Sequence, residues 1–565
     1  MKRTLGYLKP YAGRTALALV TKTAGSISEL VLPYLLSYII DELTPRKDVT
    51  AIWITGAAML FFSLLALFGN IVANRLSAVV AGSMTRALRH DLFRKTSYLK
   101  CRQVDELTVP SLISRLTSDT YYVNQMVART MRMGVRAPIL LAGGLLFCFL
   151  LNAKLALVLV AVIPVVAVPL FFITRKSVPM YLAVQRNGDR MVRTVQEDIT
   201  GIRVIKALSR TEHESEKFGG VASDLASSEF RAQRVMSLTN PLTSLILNLG
   251  LVAVIVAGAF LSAEAGDITG FLTYFIIVLN AMLGISRIFV ILSRGTASAE
   301  RIEKVLALDE REQVEEHPAG DPAYAVEFKD VSFSYGGQKE HLTDISFALK
   351  RGAALGIIGP TGCGKSTIVN LLLRLYDADS GAVYVDGQDV RSFPPDMLRK
   401  KFGVVFQNGY LMAASIRENI DYGRDLPEEA IFRAARCAQA EEFIAALPDG
   451  YDHDLAQKAG NLSGGQKQRL LIARALAASP AVIVLDDSSS ALDYATDAAL
   501  RRALQREYAG ATRIVVAQRV SSVKNCDLIL VLDDGCVTGA GTHEELMRTC
   551  AEYRAIAETQ MGEAV

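Results

Sequence analysis

The sequence predicts two joined folds. The first is an all-α membrane domain of six transmembrane helices with long cytoplasmic helical extensions. The second is an α/β P-loop nucleotide-binding domain. Three observations predict them. Stretches without Asp, Glu, Lys or Arg recur before residue 300, at Val49–Asn74, Ala137–Ala153, Leu155–Thr174, Val235–Ala263 and Ile268–Ser286. A complete phosphate-binding loop, Gly359-Pro360-Thr361-Gly362-Cys363-Gly364-Lys365-Ser366, follows the apolar run Ala354–Ile358. Between the two regions, around Arg311–Pro322, the chain turns acidic, carries proline and loses apolar periodicity. The expected boundaries are therefore 1–303 for the membrane domain, 304–323 for a linker and 324–565 for the nucleotide domain.

Bulk composition agrees. At 565 residues the chain exceeds a single core. It is 51% apolar, with a mean hydropathy of +0.27. A net charge of +3 makes no case for a nucleic-acid partner, and none is expected. Seven cysteines show no CxxC pair and no metal-ligand spacing, which fits reduced thiols. The start, Met1-Lys2-Arg3-Thr4, has no cleavable signal pattern.

Each charge-free stretch approaches or exceeds the roughly 20 residues a bilayer-crossing helix needs. A further span, Thr15–Ile40, is interrupted by Lys22 and Glu29, which share a helix face. Glu29 is expected to face a cavity and Lys22 to snorkel to the interface. Asn248, Asn280 and Arg287 are further candidates for cavity lining or for ties between helices. The segments Arg75–Arg136 and Arg175–Arg234 are rich in arginine and lysine, whereas Asp41–Asp48, Asn152–Lys154 and Glu264–Asp267 are short. Positive charge marks the cytoplasmic side, so both termini are expected inside a bacterial plasma membrane. The basic segments are too long and regular for loops. They read as membrane helices continuing into the cytoplasm, with short docking helices near 109–118 and 197–206.

In the second domain a strand, a glycine-rich loop and a helix follow one another, the context that makes the phosphate-loop motif specific. Backbone N–H groups across Gly359, Thr361, Gly362, Cys363, Gly364 and Thr367 are expected to cradle phosphates. Lys365 would reach the outer phosphates and Ser366 would ligate Mg²⁺. The apolar strand Val482–Asp486 ends on an aspartate placed to orient that metal. ATP and Mg²⁺ are the cofactors implied. Cys363 sits inside the loop, either as a small filler or as a thiol whose alkylation would block ATP. Asp487 stands where a hydrolytic site wants glutamate, and Gln518 where it wants histidine.

Leu462-Ser463-Gly464-Gly465-Gln466-Lys467-Gln468-Arg469 resembles the signature motif of ATP-binding cassette (ABC) transporters. Six spans followed by one such domain resemble an ABC exporter half-transporter, and the likeness runs over nearly the whole chain. It implies an α-helical subdomain in the nucleotide domain. It also implies that Tyr335 stacks on adenine, that Gln407 ligates Mg²⁺ and that Asp493 crosses a dimer interface. Ser463, Gly464, Gly465 and Gln466 would complete the ATP site of a second half-transporter. The run Asp486–Asp493 resembles the degenerate subunit of heterodimeric bacterial multidrug-type exporters. The resemblance then implies slow hydrolysis at this chain's own site, a heterodimeric partner, contact with membrane lipid, and a small amphipathic cargo (drug, lipid or peptide). The same shape also occurs in heterodimeric siderophore importers, and an ATP-gated channel or regulatory subunit is the other alternative. Just before the signature, Leu455–Asn461 departs from the family's Gly-Glu pair and later glycine, which loosens what can be carried over about coupling.

Overall fold

The computed structural model describes residues 2–561 apart from Ser262, Glu310, Arg311, Gln313, Gln338 and Lys339. The chain divides into two compact units. One holds Met1–Ser97 and Pro110–Leu308, and the other holds Tyr98–Val109 and Asp309–Val565.

The first unit is helical throughout. Among the described residues four helices are long and apolar enough to cross a membrane: Arg3–Arg46, Val49–Ser97, Val109–Leu151 and Ala265–Ala307. Ala153–Thr200 and Thr239–Phe260 are also helices and cover the remaining apolar stretches. The first two helices cross closely at glycine. A Cβ on Gly69 would lie 2.9 Å from the Thr21 carbonyl oxygen, and one on Gly25 would lie 3.3 Å from that of Ala66. Small residues at a crossing let backbones approach where lipid offers no hydrophobic drive for association. Leu30, Leu140, Phe271, Tyr274, Phe275 and Val278 form the buried apolar centre.

Polar side chains in this unit join into a chain across three helices. Lys22 is only 4% exposed, and its ammonium donates to Asn70 Oδ1 at 2.6 Å and to Asn74 Oδ1 at 3.4 Å. Asn70 Nδ2 donates in turn to Glu29 Oε1 at 2.9 Å, while Arg136 donates to Glu29 Oε2 at 2.7 Å. Lys22 therefore does not snorkel, because two asparagines one helical turn apart give it acceptors where it stands. Arg136, grouped by sequence with the basic cytoplasmic segment, instead closes this network. Asn248 and Asn280 are exposed, and the Arg287 side chain lies outside the described residues. At the short-loop end, Asp41 accepts from the backbone N–H groups of Gly266 at 2.6 Å and Asp267 at 2.8 Å. It thereby caps the N-terminus of the Ala265–Ala307 helix with negative charge.

The first excursion carries two short helices, Cys101–Leu107 and, within the segment expected near 109–118, Val109–Ser114. Lys100 N–H donates to Gln103 Oε1 at 3.1 Å at the start of the first, and Thr108 at φ 62° breaks it. Pro110 then opens the second, where its fixed φ is an advantage. In the second excursion the long helix ends at Thr200, and Ile202–Ala207 forms a short helix after Gly201.

Among the described residues the nucleotide unit has two sheets. β1 (Tyr324–Phe333), β2 (Leu342–Lys350), β4 (Ser380–Val385) and β5 (Gln388–Asp389) make an antiparallel sheet in the order β2-β1-β4-β5. The second comprises β3 (Ala354–Ile358), β6 (Phe402–Val405), β7 (Val482–Asp486), β8 (Thr512–Val516), β9 (Leu528–Asp533) and β10 (Cys536–Gly541). Its order is β10-β9-β3-β8-β7-β6, parallel except for β10. β3 and β7 are buried at every position, as strands covered on both faces must be. A separate, largely helical core gathers Ile416, Ile420, Ile431, Leu470, Ile472 and Leu476.

Candidate ATP site

The site forms at the carboxyl ends of the parallel strands, where ligands of open α/β sheets bind. β3 delivers the phosphate loop, and the Lys365–Leu372 helix follows it. The loop's glycines are structural requirements. Gly364 sits at φ 101°, and a Cβ there would meet Leu342 Cδ2 at 2.6 Å and the His341 carbonyl oxygen at 2.8 Å. Gly362, at φ 88°, would meet nothing within 4 Å, so its backbone borders open space of the kind a phosphate needs. Lys365 Nζ donates to the carbonyl oxygens of Gly359 at 2.9 Å and Pro360 at 2.6 Å. Cys363 is only 4% exposed and packs into the β-sheet core. Its side chain is thus a core filler, and the thiol is shielded from alkylating reagents.

Asp486, at the end of β7, is 3% exposed. Burial pushes its carboxyl above the ordinary carboxylate range. A hydrogen bond from Ser366 and the charge of Lys365 pull it down, while the charge of Asp487 adds to the rise. The Asp486 carboxylate and the Ser366 hydroxyl are oxygen donors of the kind Mg²⁺ takes, and the Gln407 backbone N–H also bonds that carboxylate. When bound, that ion would neutralise phosphate charge, with Ser366 and Asp486 as its holders.

The two substituted positions meet. Asp487 stands at φ 49°, in the left-handed region that costs a non-glycine residue energy. Its Oδ2 accepts from Gln518 Nε2 at 3.1 Å and from Gln407 Nε2 at 3.5 Å. Both residues line a cleft with Ser489, Ser490, Tyr494 and Arg519. The loop carrying Gln518 is itself held by a residue that sequence reasoning missed. Gln560, on the C-terminal helix Ala551–Met561, accepts from Val520 N–H at 2.8 Å and donates to the Gln518 carbonyl oxygen at 2.7 Å. No motif or spacing announces that contact.

Tyr335 is half-buried, with the rings of Phe333, His341 and Tyr376 edge-on to it at 4.8, 5.0 and 5.0 Å. Its hydroxyl accepts from Asn370 Nδ2 at 2.9 Å and lies 3.4 Å from Thr367 Oγ1. The ring therefore stands beside the helix of the phosphate loop. The signature residues are placed as a helix start. Ser463 caps the Gly464–Ala477 helix by accepting from Gln466 N–H at 3.3 Å, and Ser463 N–H donates to Gln466 Oε1 at 2.8 Å. A Cβ on Gly464 would meet nothing within 4 Å, so this chain's own packing does not demand glycine there. Asp493 likewise caps the Tyr494–Glu507 helix, accepting from Thr496 N–H at 2.8 Å and Thr496 Oγ1 at 2.9 Å. These hydrogen bonds hold its carboxyl below the usual range. In the divergent stretch, Lys458 and Ala459 occupy φ 56° and 50°. Non-glycine residues in such conformations cost on the order of 1 kcal/mol or more each.

The pattern of the ABC transporter transmembrane region matches residues 15–282, and the ABC transporter pattern matches residues 342–490. The uncharacterized ABC transporter ATP-binding protein YfiB of Bacillus subtilis is 34% identical over 568 residues, covering 100% of this chain and 99% of YfiB. The chain belongs to the ABC transporter family. Rv1273c of Mycobacterium tuberculosis, another uncharacterized ABC transporter ATP-binding protein, is 32% identical over 98% of this chain and 97% of its own length. A solved bacterial Atm1-family ABC exporter with ATP bound superposes with a TM-score of 0.83, covering 98% of this chain and 99% of that one at 24% identity. The transporter thus has the exporter fold of a half-transporter, with a membrane helical domain and an ATP-binding domain.

Proposed function

We propose that this ABC transporter is one subunit of a heterodimeric exporter with six spans per chain, both termini cytoplasmic, and a site that holds ATP but hydrolyses it slowly. Its intact signature residues Ser463, Gly464, Gly465 and Gln466 would complete the partner's hydrolytic site. The cargo class is small amphipathic molecules (drugs, lipids or peptides), moved outward across the plasma membrane. Cys101–Leu107 and Ile202–Ala207 would be the short docking helices.

The hydrogen bond from Gln518 to Asp487 supports this most directly. The Asp487 oxygen that would take the proton of an attacking water already accepts two amide N–H groups. Aspartate is also about 1.5 Å shorter than glutamate, and an amide cannot become a cation as imidazole can. A misplacement of about 1 Å can cost on the order of 10²-fold in rate. ATP binding rests on other groups, the loop N–H donors, Lys365, Ser366 and Asp486, all of which are intact.

The test is Asp487→Glu combined with Gln518→His in the chain co-purified with its partner. ATP turnover at saturating ATP is expected to rise, while ATP affinity changes little. Unchanged turnover would remove the case for a degenerate site.

A further inference from the structure

Tyr376 borders the site through Tyr335, and with Asp105 it connects that ring to a distant stretch of sequence. The Tyr376 ring lies edge-on to Tyr335 with centroids 5.0 Å apart and planes at 87°, and it is 5.7 Å from Phe333. Its hydroxyl donates to Asp105 Oδ2 at 2.5 Å. Asp105 lies 271 residues earlier, on the Cys101–Leu107 helix. That helix packs with the nucleotide unit rather than with the long helices flanking it in sequence. Gln103 fastens it again, donating to the Asp309 carbonyl oxygen at 2.9 Å. Burial first and the Asp105 carboxylate second raise the Tyr376 phenol above its ordinary pKa, so it stays a donor to that carboxylate at any physiological pH. A short hydrogen bond to an ionised acceptor is strong and directional.

We infer that Tyr376 and Asp105 form a relay that reports occupancy of the adenine position, as distinct from the phosphate loop, to the Cys101–Leu107 helix. The inference rests on Tyr335 being the adenine platform. A base stacked on Tyr335 would set the tilt of that ring. Tyr376, touching its edge, would follow, and the rigid phenol–carboxylate bond would carry the displacement to Asp105. The phosphates act elsewhere, on the loop, Gln407 and Gln518. The chain would thereby gain a second report of nucleotide, one that reads the base. Tyr376 and Asp105 are positioning residues in this scheme and touch no phosphate.

A native thiol supplies the readout. Cys101 opens the same helix and is partly exposed. Its maleimide labelling rate, followed by peptide mass in the full chain in membranes, is measured with MgATP, with magnesium tripolyphosphate at concentrations that displace ATP, and with neither. MgATP is expected to change the rate about five-fold or more, the low end of ordinary coupling between sites, and tripolyphosphate to leave it unchanged. Tyr376→Phe keeps the ring and its packing, so at saturating nucleotide it is expected to abolish the ATP effect on the labelling rate while MgATP still binds. Asp105→Ala should do the same, and the double variant should be no worse than either single one. Because Asp105 also bears on the Cys101 thiol, the compared quantity is the ratio with and without ATP. An equal response to tripolyphosphate, or a response surviving in Tyr376→Phe, overturns the relay. If Tyr335→Ala weakens ATP binding while wild-type Cys101 ignores ATP, the relay alone falls. If Tyr335→Ala binds ATP as wild type does, the adenine platform falls and the relay with it.

Discussion

Asp486 carries two opposed demands. It must be ionised to hold a metal, yet it is buried beside another carboxylate, Asp487. Its carboxyl therefore holds a proton more tightly in the folded chain than in the unfolded one. The stability this group contributes is complete below the ordinary carboxylate range and is lost as pH rises through the raised value. Asp486→Asn removes that loss. In magnesium-free buffer at neutral pH, the full chain is expected to unfold at a higher temperature than wild type. The variant should also lose the extra stabilisation that MgATP gives to wild type. A midpoint below wild type without magnesium would contradict this account. The loop itself was legible in the sequence because its turns hold Gly362 and Gly364 in the left-handed region, where glycine is favoured. The environment of Cys363 was not, since its burial depends on the sheet beneath the loop. Gln560 was not either, because its contact with the Gln518 loop arises only when the last helix folds back.

The Ser463 helix start has a stability role in this chain and, under the proposed function, a second role in the partner's site. Ser463 completes a capping box, and replacing such a cap by alanine typically costs about 1 kcal/mol. Aspartate caps a helix as well as serine does. Ser463→Ala is therefore expected to lower the unfolding midpoint, whereas Ser463→Asp should leave it near wild type. Under the proposed function both variants should lose ATP turnover in the assembled pair, since the aspartate would set a negative charge against the phosphate that the signature is proposed to meet. Thermal unfolding and ATPase rates on the same preparations separate the two roles. A Ser463→Asp pair that hydrolyses ATP normally would show that this helix start meets no phosphate. The long helices were readable because charge-free runs are imposed by the solvent they face. The additional short helix at Cys101–Leu107 was not read from sequence, because its limits depend on local events, the Lys100–Gln103 hydrogen bond and the left-handed Thr108. Strain at Lys458 and Ala459 marks where the chain keeps a turn without the glycine that usually makes it.

Across the membrane unit, the Lys22–Asn70–Glu29–Arg136 chain joins the first three long helices. Glu29 is its carboxylate, and it is the more buried member of its ion pair with Arg136, so leaving it without a partner or removing it unbalances the network. Glu29→Gln is expected to destabilise the full chain, and Arg136→Gln added to it should recover part of the loss, because Arg136 keeps some solvent contact. Thermal unfolding across this double-mutant cycle gives the coupling, and strict additivity would show the pair to be incidental. The cap that Asp41 places on Gly266 and Asp267 constrains motion differently. The first and last long helices are tied at that end by these bonds, so under the proposed transport cycle they are expected to move together there. A thiol cross-linker joining Ser37→Cys to Asp267→Cys, whose native side chains lie 3.5 Å apart, should leave ATP-driven turnover of the pair intact. Arrest by that staple would show that the two helices must part at this end.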